Sequence, residues 1–328
     1  MKNRPTFWNP KNIADPFYVP DFNRAREEGR KAGLEKVTRQ LKRGGDRHLL
    51  IGIDQEVDFG DKGRLPVTGT YADIERFGER VIRGALEEHD TDYIFTIDIH
   101  PATVIHGDGW YTDDQGNPPA VDLPMWMELV NDSETNPVFE GHWVDGRPTK
   151  KFRPRLMRKH TYKYAKHLQA TGQGNIWVFT AHCREGSNGI SLIPALMELI
   201  EWASVARGVQ PMFMYKGMIA EVDWFGPFRP CMDVPGHPQG GLQTKYLDII
   251  GDCKSTQIAG EAEDFCVNAG VLQVLEYYGK KPDILKRISF LGDCTSAIVP
   301  GSDVVKNLHK VMKEKNVQVV KHDAPFAS

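Results

Sequence analysis

Short runs of β-branched and aromatic residues alternate along the chain with longer segments in which apolar positions recur every three or four residues. The runs fall at 49–53, 93–97, 176–180, 212–215, 256–259, 288–291 and 317–320, each short enough and rich enough in Ile, Val and Phe to predict a buried strand. Helical spacing marks 74–88, 193–205, 264–278 and 304–314, and Leu242, Tyr246, Ile249 and Ile250 favour a helix across 241–253. Alternating strand and helix with near-continuous apolar strands is the pattern of a parallel sheet covered on both faces. The expectation is a three-layer α/β/α, doubly wound, Rossmann-like domain over 46–328.

Two segments do not belong to a minimal version of that domain. Residues 1–45 read as an N-terminal extension, with a charged amphipathic helix across 22–43 packing on the outside. Residues 107–173 are rich in Pro, Gly, Asp and Trp and poor in strand signals. This stretch reads as an insertion, and a connection of that length in a compact domain marks a candidate lid or subunit contact.

Composition narrows the function classes. The 328 residues carry 41 Lys and Arg against 44 Asp and Glu, a formal net charge of −3, so the chain has no electrostatic footprint for nucleic acid or an anionic membrane surface. No apolar run approaches a membrane span, and 1–21 is polar and proline-broken rather than signal-like. A cytoplasmic location is the expectation. The five cysteines are odd in number and scattered, which argues against a disulfide framework and leaves at least one thiol free, as core filler or as a nucleophile.

Ligands in doubly wound sheets bind at the carboxyl ends of the strands, so polar residues directly after an apolar run carry weight. The first run leads into Asp54, Gln55, Glu56, Val57, Asp58 and Phe59; the second into Asp98, Ile99 and His100, with His106 six residues on; a third into His182 and Cys183; a fourth into Lys216 and Gly217. After the fifth, Cys266 opens a helix, where a helix N-terminus lowers a thiol's pKa and offers N–H groups to an oxyanion. Asp54 as proton acceptor and Lys216 as counter-charge would complete an acyl-transfer site. Asp98, His100 and His182 offer one carboxylate and two imidazoles, a donor set suited to zinc, iron or manganese. The same Asp-x-His pair also reads as a hydrogen-bonded loop histidine, and Trp177, Trp224 and Phe228 read as core.

This ordered set resembles the cysteine hydrolases of the nicotinamidase and isochorismatase-like superfamily, within it the metal-dependent nicotinamidase branch. The resemblance spans roughly 47–299 and is carried by 53–59 with 63–67, by 96–101, by His182-Cys183 with Gly189, by 215–217 with Val222, Asp223 and Phe228, and most specifically by 260–267. It implies a mainly parallel six-stranded sheet of the isochorismatase-like kind. It implies Cys266 as nucleophile, Asp54 as base, Lys216 as the stabiliser of their charges, and an oxyanion hole from the amides of Ala262 and Cys266. That hole would depend on a cis peptide between Glu261 and Ala262. One divalent metal ion, zinc before iron or manganese, would be held by Asp98, His100 and His182, with His106 either a fourth ligand or a neighbour of the ligands. Phe59 and Phe179 would face a substrate ring. The implied reaction converts nicotinamide, or a related small carboxamide of the pyrazinamide, maleamate or ureido kind, to the acid and ammonia, an activity of NAD metabolism, in a homo-oligomer. Glu261 and Glu263 depart from the neutral residues that flank the oxyanion residue in relatives. A non-catalytic binding module of the same fold, and an iron oxygenase using the two-histidine carboxylate set, are the competing readings.

Overall fold

The computed structural model describes residues 3–15, 17–33, 47–88 and 90–327. Helices α1 (Pro10–Ile13) and α2 (Phe22–Gly33) precede β1 (His48–Ile53), α3 (Thr70–Arg83) and β2 (Thr91–Asp98). Strands β3 (Tyr111–Thr112), β4 (Met125–Leu129), β5 (Phe139–Trp143) and β6 (Lys150–Pro154), helix α4 (Arg158–Ala170) and strand β7 (Ile176–Val178) follow. The chain then alternates through α5 (Pro194–Arg207), β8 (Met212–Lys216), α6 (Thr244–Asp252), β9 (Ser255–Gly260), α7 (Cys266–Tyr277), α8 (Pro282–Leu285), β10 (Ile288–Leu291), α9 (Asp303–Glu314) and β11 (Gln318–Val320).

Six strands form one sheet in the order β11-β10-β9-β1-β2-β8, and every pairing in it is parallel. Successive side chains of a strand point to opposite faces, and β1 shows the result. Leu50 packs with α3, α5 and the N-terminal segment, whereas Leu49, Ile51 and Ile53 pack with α6, α7 and α9. Helices thus cover both faces, as the near-continuous apolar strands require. Helix α2 packs on α5 so closely that a Cβ at Gly33 would stand 2.3 Å from the Ala206 carbonyl oxygen, which ties glycine to that position. The remainder of the helix expected across 22–43 lies outside the described residues. The helix expected over 74–88 is α-helical to Arg83 and ends in a π-helical turn, Gly84–Glu88.

Chain order and sheet order locate the site. From β1 the chain builds outward through β2 and β8, then returns to place β9 on the other side of β1. The carboxyl ends of β1 and β9 therefore flank the point where the winding reverses, the usual ligand crevice of such sheets. Register brings Ile53 opposite Gly260 and Asp98 opposite Lys216.

Two sequence expectations need correction. The run at 176–180 is not a strand of the parallel sheet; β7 pairs antiparallel with β4, Val178 opposite Met125. The stretch 107–173, read as poor in strand signals, supplies β3 to β6, and with β7 these form a five-stranded sheet ordered β3-β6-β5-β4-β7. Its strands are short and half-exposed, with Met125 and Met127 buried against Trp126 and Glu128 turned outward, so they lack the solid apolar runs that marked the parallel strands. Their inner face, helix α4 and residues 219–224 share a separate apolar cluster around Trp110, Phe139 and Tyr164. Among the described residues no helix is long and apolar enough to cross a membrane.

Candidate active site

Asp54 stands where β1 ends, fully buried, with φ of 50°. That left-handed conformation is one an aspartate tolerates better than bulkier residues, and it turns the carboxylate back into the sheet end. The Asp54 N–H donates to the Thr96 hydroxyl at 3.0 Å, and the hydroxyl donates to Asp54 Oδ1 at 2.5 Å. Lys216 closes β8, buried, with its Nζ 2.9 Å from Asp54 Oδ2, 2.9 Å from Asp98 Oδ1 and 3.6 Å from Cys266 Sγ. Cys266 is the first residue of α7 and 7% exposed. The three residues expected to form the acyl-transfer set are therefore in mutual contact around one ammonium.

Their electrostatics follow from that contact. Burial opposes the charge of Lys216, but the carboxylates of Asp54 and Asp98 outweigh it and hold the ammonium well above its usual range. Burial pushes the Cys266 thiol far up, Lys216 pulls the other way, and a hydrogen bond with Asp54 adds to the rise. Burial also raises Asp54 against the pull of Lys216. A carboxylate more basic than usual, touching a thiol beside a fixed cation, is arranged to exchange a proton with it.

The peptide between Glu261 and Ala262 is cis. Among the described residues neither the Ala262 N–H nor the Cys266 N–H has a backbone acceptor, leaving both for a ligand oxygen. The segment after β10 splints this loop. Thr295 Oγ1 donates to the Gly260 carbonyl at 2.5 Å, Glu263 N–H to the Ser296 carbonyl at 2.8 Å, and the N–H groups of Ile298 and Val299 to the Asp264 carboxylate at 3.0 and 2.8 Å.

Asp98, His100 and His182 bring one ligand atom each within 4.8 Å of the others, all three residues buried. The strand path continues past β2, since Ile99 N–H bonds the Lys216 carbonyl at 2.9 Å and His100 N–H the Cys183 carbonyl at 2.8 Å; this aligns Asp98 and His100 on one side. His182 Nδ1 meets the Thr180 carbonyl at 2.7 Å and His100 Nδ1 the Gly217 carbonyl at 3.3 Å. Both imidazoles so present Nε2 towards Asp98 Oδ2, at 3.9 and 2.8 Å. Backbone carbonyls on the far ring nitrogens are the usual orienting partners of metal-binding histidines, so the donor set fits a divalent cation. Gly217, at φ 80°, lets the chain pass beneath: a Cβ there would lie 2.5 Å from Asp98 Oδ1. His106 lies outside this group of three; its Nδ1 is 2.9 Å from Asp223 Oδ1, and Asp223 Oδ2 accepts from the Tyr164 hydroxyl at 3.0 Å.

A cavity of about 410 Å³, its open mouth included, joins the two halves, lined by Phe59, Phe179, His182, Lys216, Ala262 and Cys266 among others. An apolar, aromatic lining with a few convergent polar groups is the character of a small-ligand site. Phe179 sits 5.3 Å from Phe265 and 6.1 Å from Phe225, ring centre to ring centre. Phe225, Phe265, Trp224 and Ile298 also line the cavity and were not anticipated as its walls; Trp224 read as core, and it is that as well. Phe228, also read as core, is buried with α6 and α7. Two further polar groups, present in the motifs, were assigned no role from the sequence. Thr96 orients Asp54, and the buried Glu56 accepts the Asp98 N–H at 2.7 Å. Only their contacts with Asp54 and Asp98 in space mark them.

No protein-family model and no curated protein sequence matches the chain. Solved structures do. The yeast nicotinamidase Pnc1p superposes with a TM-score of 0.51 at 18% identity over 83% of this chain and 99% of that one. The same yeast enzyme bound to the inhibitor nicotinaldehyde gives 0.52 at 17% over 84% and 99%, and an Acinetobacter baumanii nicotinamidase pyrazinamidase 0.50 at 15% over 86% and 98%. At these identities the likeness is one of fold.

Proposed function

We propose that the chain is a metal-dependent amidohydrolase of the nicotinamidase and isochorismatase-like superfamily, hydrolysing nicotinamide or a related small carboxamide to the acid and ammonia through a thioester on Cys266. The observation that carries this reading is the Lys216 ammonium within 2.9 Å of Asp54 and 3.6 Å of Cys266 Sγ at the floor of an aromatic-walled cavity. A binding module has no use for a buried base, cation and thiol in contact. The fold shared with structures of nicotinamidases supports the same reading.

In this mechanism Asp54 takes the thiol proton as Sγ bonds to the amide carbon, and Lys216 balances the negative charge that moves between them. The carbonyl oxygen gains that charge and is met by the amides of Ala262 and Cys266. Asp54 returns the proton to the nitrogen as the C–N bond breaks and ammonia leaves. Water then attacks the thioester carbon, Asp54 accepts its proton, and cleavage of the C–S bond frees the acid and regenerates the thiol. Phe59 and Phe179 would hold the flat face of the substrate. A zinc, iron or manganese ion held by Asp98, His100 and His182 would orient the substrate through a ring nitrogen.

The test is ammonia release from nicotinamide by metal-loaded protein, with Cys266→Ala as the blank. Release by the wild type alone, with metal content equal in both, is the expected result. Equal release by Cys266→Ala would overturn the assignment of the nucleophile.

A further inference from the structure

Directly behind the oxyanion loop lies a second cluster of acids that the mechanism above does not use. Glu261 and Asp73 of α3 are both buried, and both carboxyl groups bond to one residue, Ser296. Ser296 bridges them: its N–H donates to Glu261 Oε2 at 3.1 Å and its hydroxyl to Asp73 Oδ2 at 2.5 Å. Arg76 Nη2 is 2.6 Å from Asp73 Oδ1, which assigns the negative charge of the pair to Asp73. Glu261 Oε1 is buried, and among the described residues no donor is directed at it. A buried oxygen without a donor, on a carboxyl that shares Ser296 with a charged carboxylate, is satisfied when it carries a proton and donates it.

We propose that Glu261 is a positioning residue acting as a neutral acid, which donates to Asp73, accepts from Ser296, and thereby fixes the peptide that presents the Ala262 amide to the substrate oxygen. Burial first, and then the charge of Asp73, push the Glu261 carboxyl well above its usual range, in agreement with that assignment. The charged or titratable groups facing the pair are Asp73 and Arg76 of α3, Asp61 in the turn after β1, and Asp293 and Cys294 after β10. Of these, Arg76 alone is cationic, and its bonds go to the Asp73 carboxylate and the Asp293 carbonyl, not to Glu261. Ionisation of Glu261 would therefore set two carboxylates against each other and break the donation that holds residues 260–262.

The role in catalysis rests on the amide-hydrolysis reading; the proton on Glu261 does not. Two measurements separate them, made on the full chain and on Glu261→Gln, whose amide can donate to Asp73 and accept from Ser296 without ionising. The first is unfolding by urea across pH. A carboxyl that holds its proton more tightly when folded confers stability that is complete below the ordinary glutamate range and is lost as pH rises through the folded value. Across that window the folding constant of the wild type should fall relative to Glu261→Gln by about tenfold per pH unit. Parallel curves would overturn the proposal. The second is the pH profile of ammonia release. Glu261→Gln should keep KM and displace the alkaline loss of kcat to higher pH, whereas Glu261→Leu should lose kcat at every pH. An unmoved alkaline limb in Glu261→Gln would overturn the positioning role. If no variant and no wild type hydrolyses any amide, the functional reading fails and the urea comparison still decides where the proton sits.

Discussion

The two sheets contribute differently to one site. Asp54, Asp98, Lys216 and Cys266 all stand at the carboxyl ends of the parallel strands or just beyond them, in one buried charge network. Phe179 and His182 follow β7, the edge of the antiparallel sheet, and the second sheet's α4 reaches His106 through Tyr164 and Asp223. The parallel side holds the proposed base, cation and nucleophile, around a strand paired on both edges. The antiparallel side supplies the cavity wall at Phe179 and one candidate metal donor, His182, from strands with a solvated face. Such a division lets a scaffold keep its chemistry while its substrate changes.

The sharpest way to break this comparison is to remove the shared cation. Lys216→Met leaves Asp54 and Asp98 buried without their partner, and breaking a buried pair in this way costs about 3–5 kcal/mol; urea unfolding at neutral pH should show that loss. A loss under about 1 kcal/mol would mean that the two carboxylates are not both charged. Next in size, His182→Ala removes one proposed metal donor from the antiparallel side. Loss of a ligand should weaken metal binding by at least the roughly 100-fold seen for orienting partners, measured by competition with a chelator, while alkylation of Cys266 by iodoacetamide continues. Should alkylation fall with it, the two halves are one unit. The smallest effect is expected from Phe179→Leu. An aromatic contact contributes about 0.5–1.5 kcal/mol beyond buried area, so KM should rise by roughly 2- to 10-fold with kcat little changed. A fall in kcat alone would place Phe179 with the chemistry instead of the wall.

The same contrast explains what the sequence disclosed. Strands of a parallel sheet covered by helices are written as solid apolar runs, and six of the seven runs are the six parallel strands, the edge strands β8 and β11 included although they are partly exposed. Asp54, Asp98 and Lys216 could be found because strand ends are visible as the places where such runs stop. The seventh run, β7, is equally apolar where it meets β4, so its apolarity could not say which sheet it joined. The second sheet was hidden because alternation such as Phe139, Gly141 and Trp143 inward with Glu140 and His142 outward is easily taken for loop over only five residues. Helix α4 was missed for a related reason: its buried face is Thr161, Tyr164, Ala165 and Leu168, half of it not aliphatic. Contacts such as Thr96 to Asp54 or Asp73 to Glu261 join residues distant in sequence, and nothing local to either partner announces them.

The reversal of winding between β1 and β9 also governs when the site comes into being. Strand β1 pairs with β2 early in the chain, but its other edge is covered only by β9, which lies most of the chain length later. Contacts this far apart in sequence are slow to form, and until β9 docks, a central strand keeps an open edge able to pair with another chain. Cys266 follows β9 directly, so the step that closes this edge is also the one that brings the thiol to Asp54 and Lys216. A ribosome-bound or partly folded chain would hold Asp54 and Lys216 without Cys266 beside them until β9 docks.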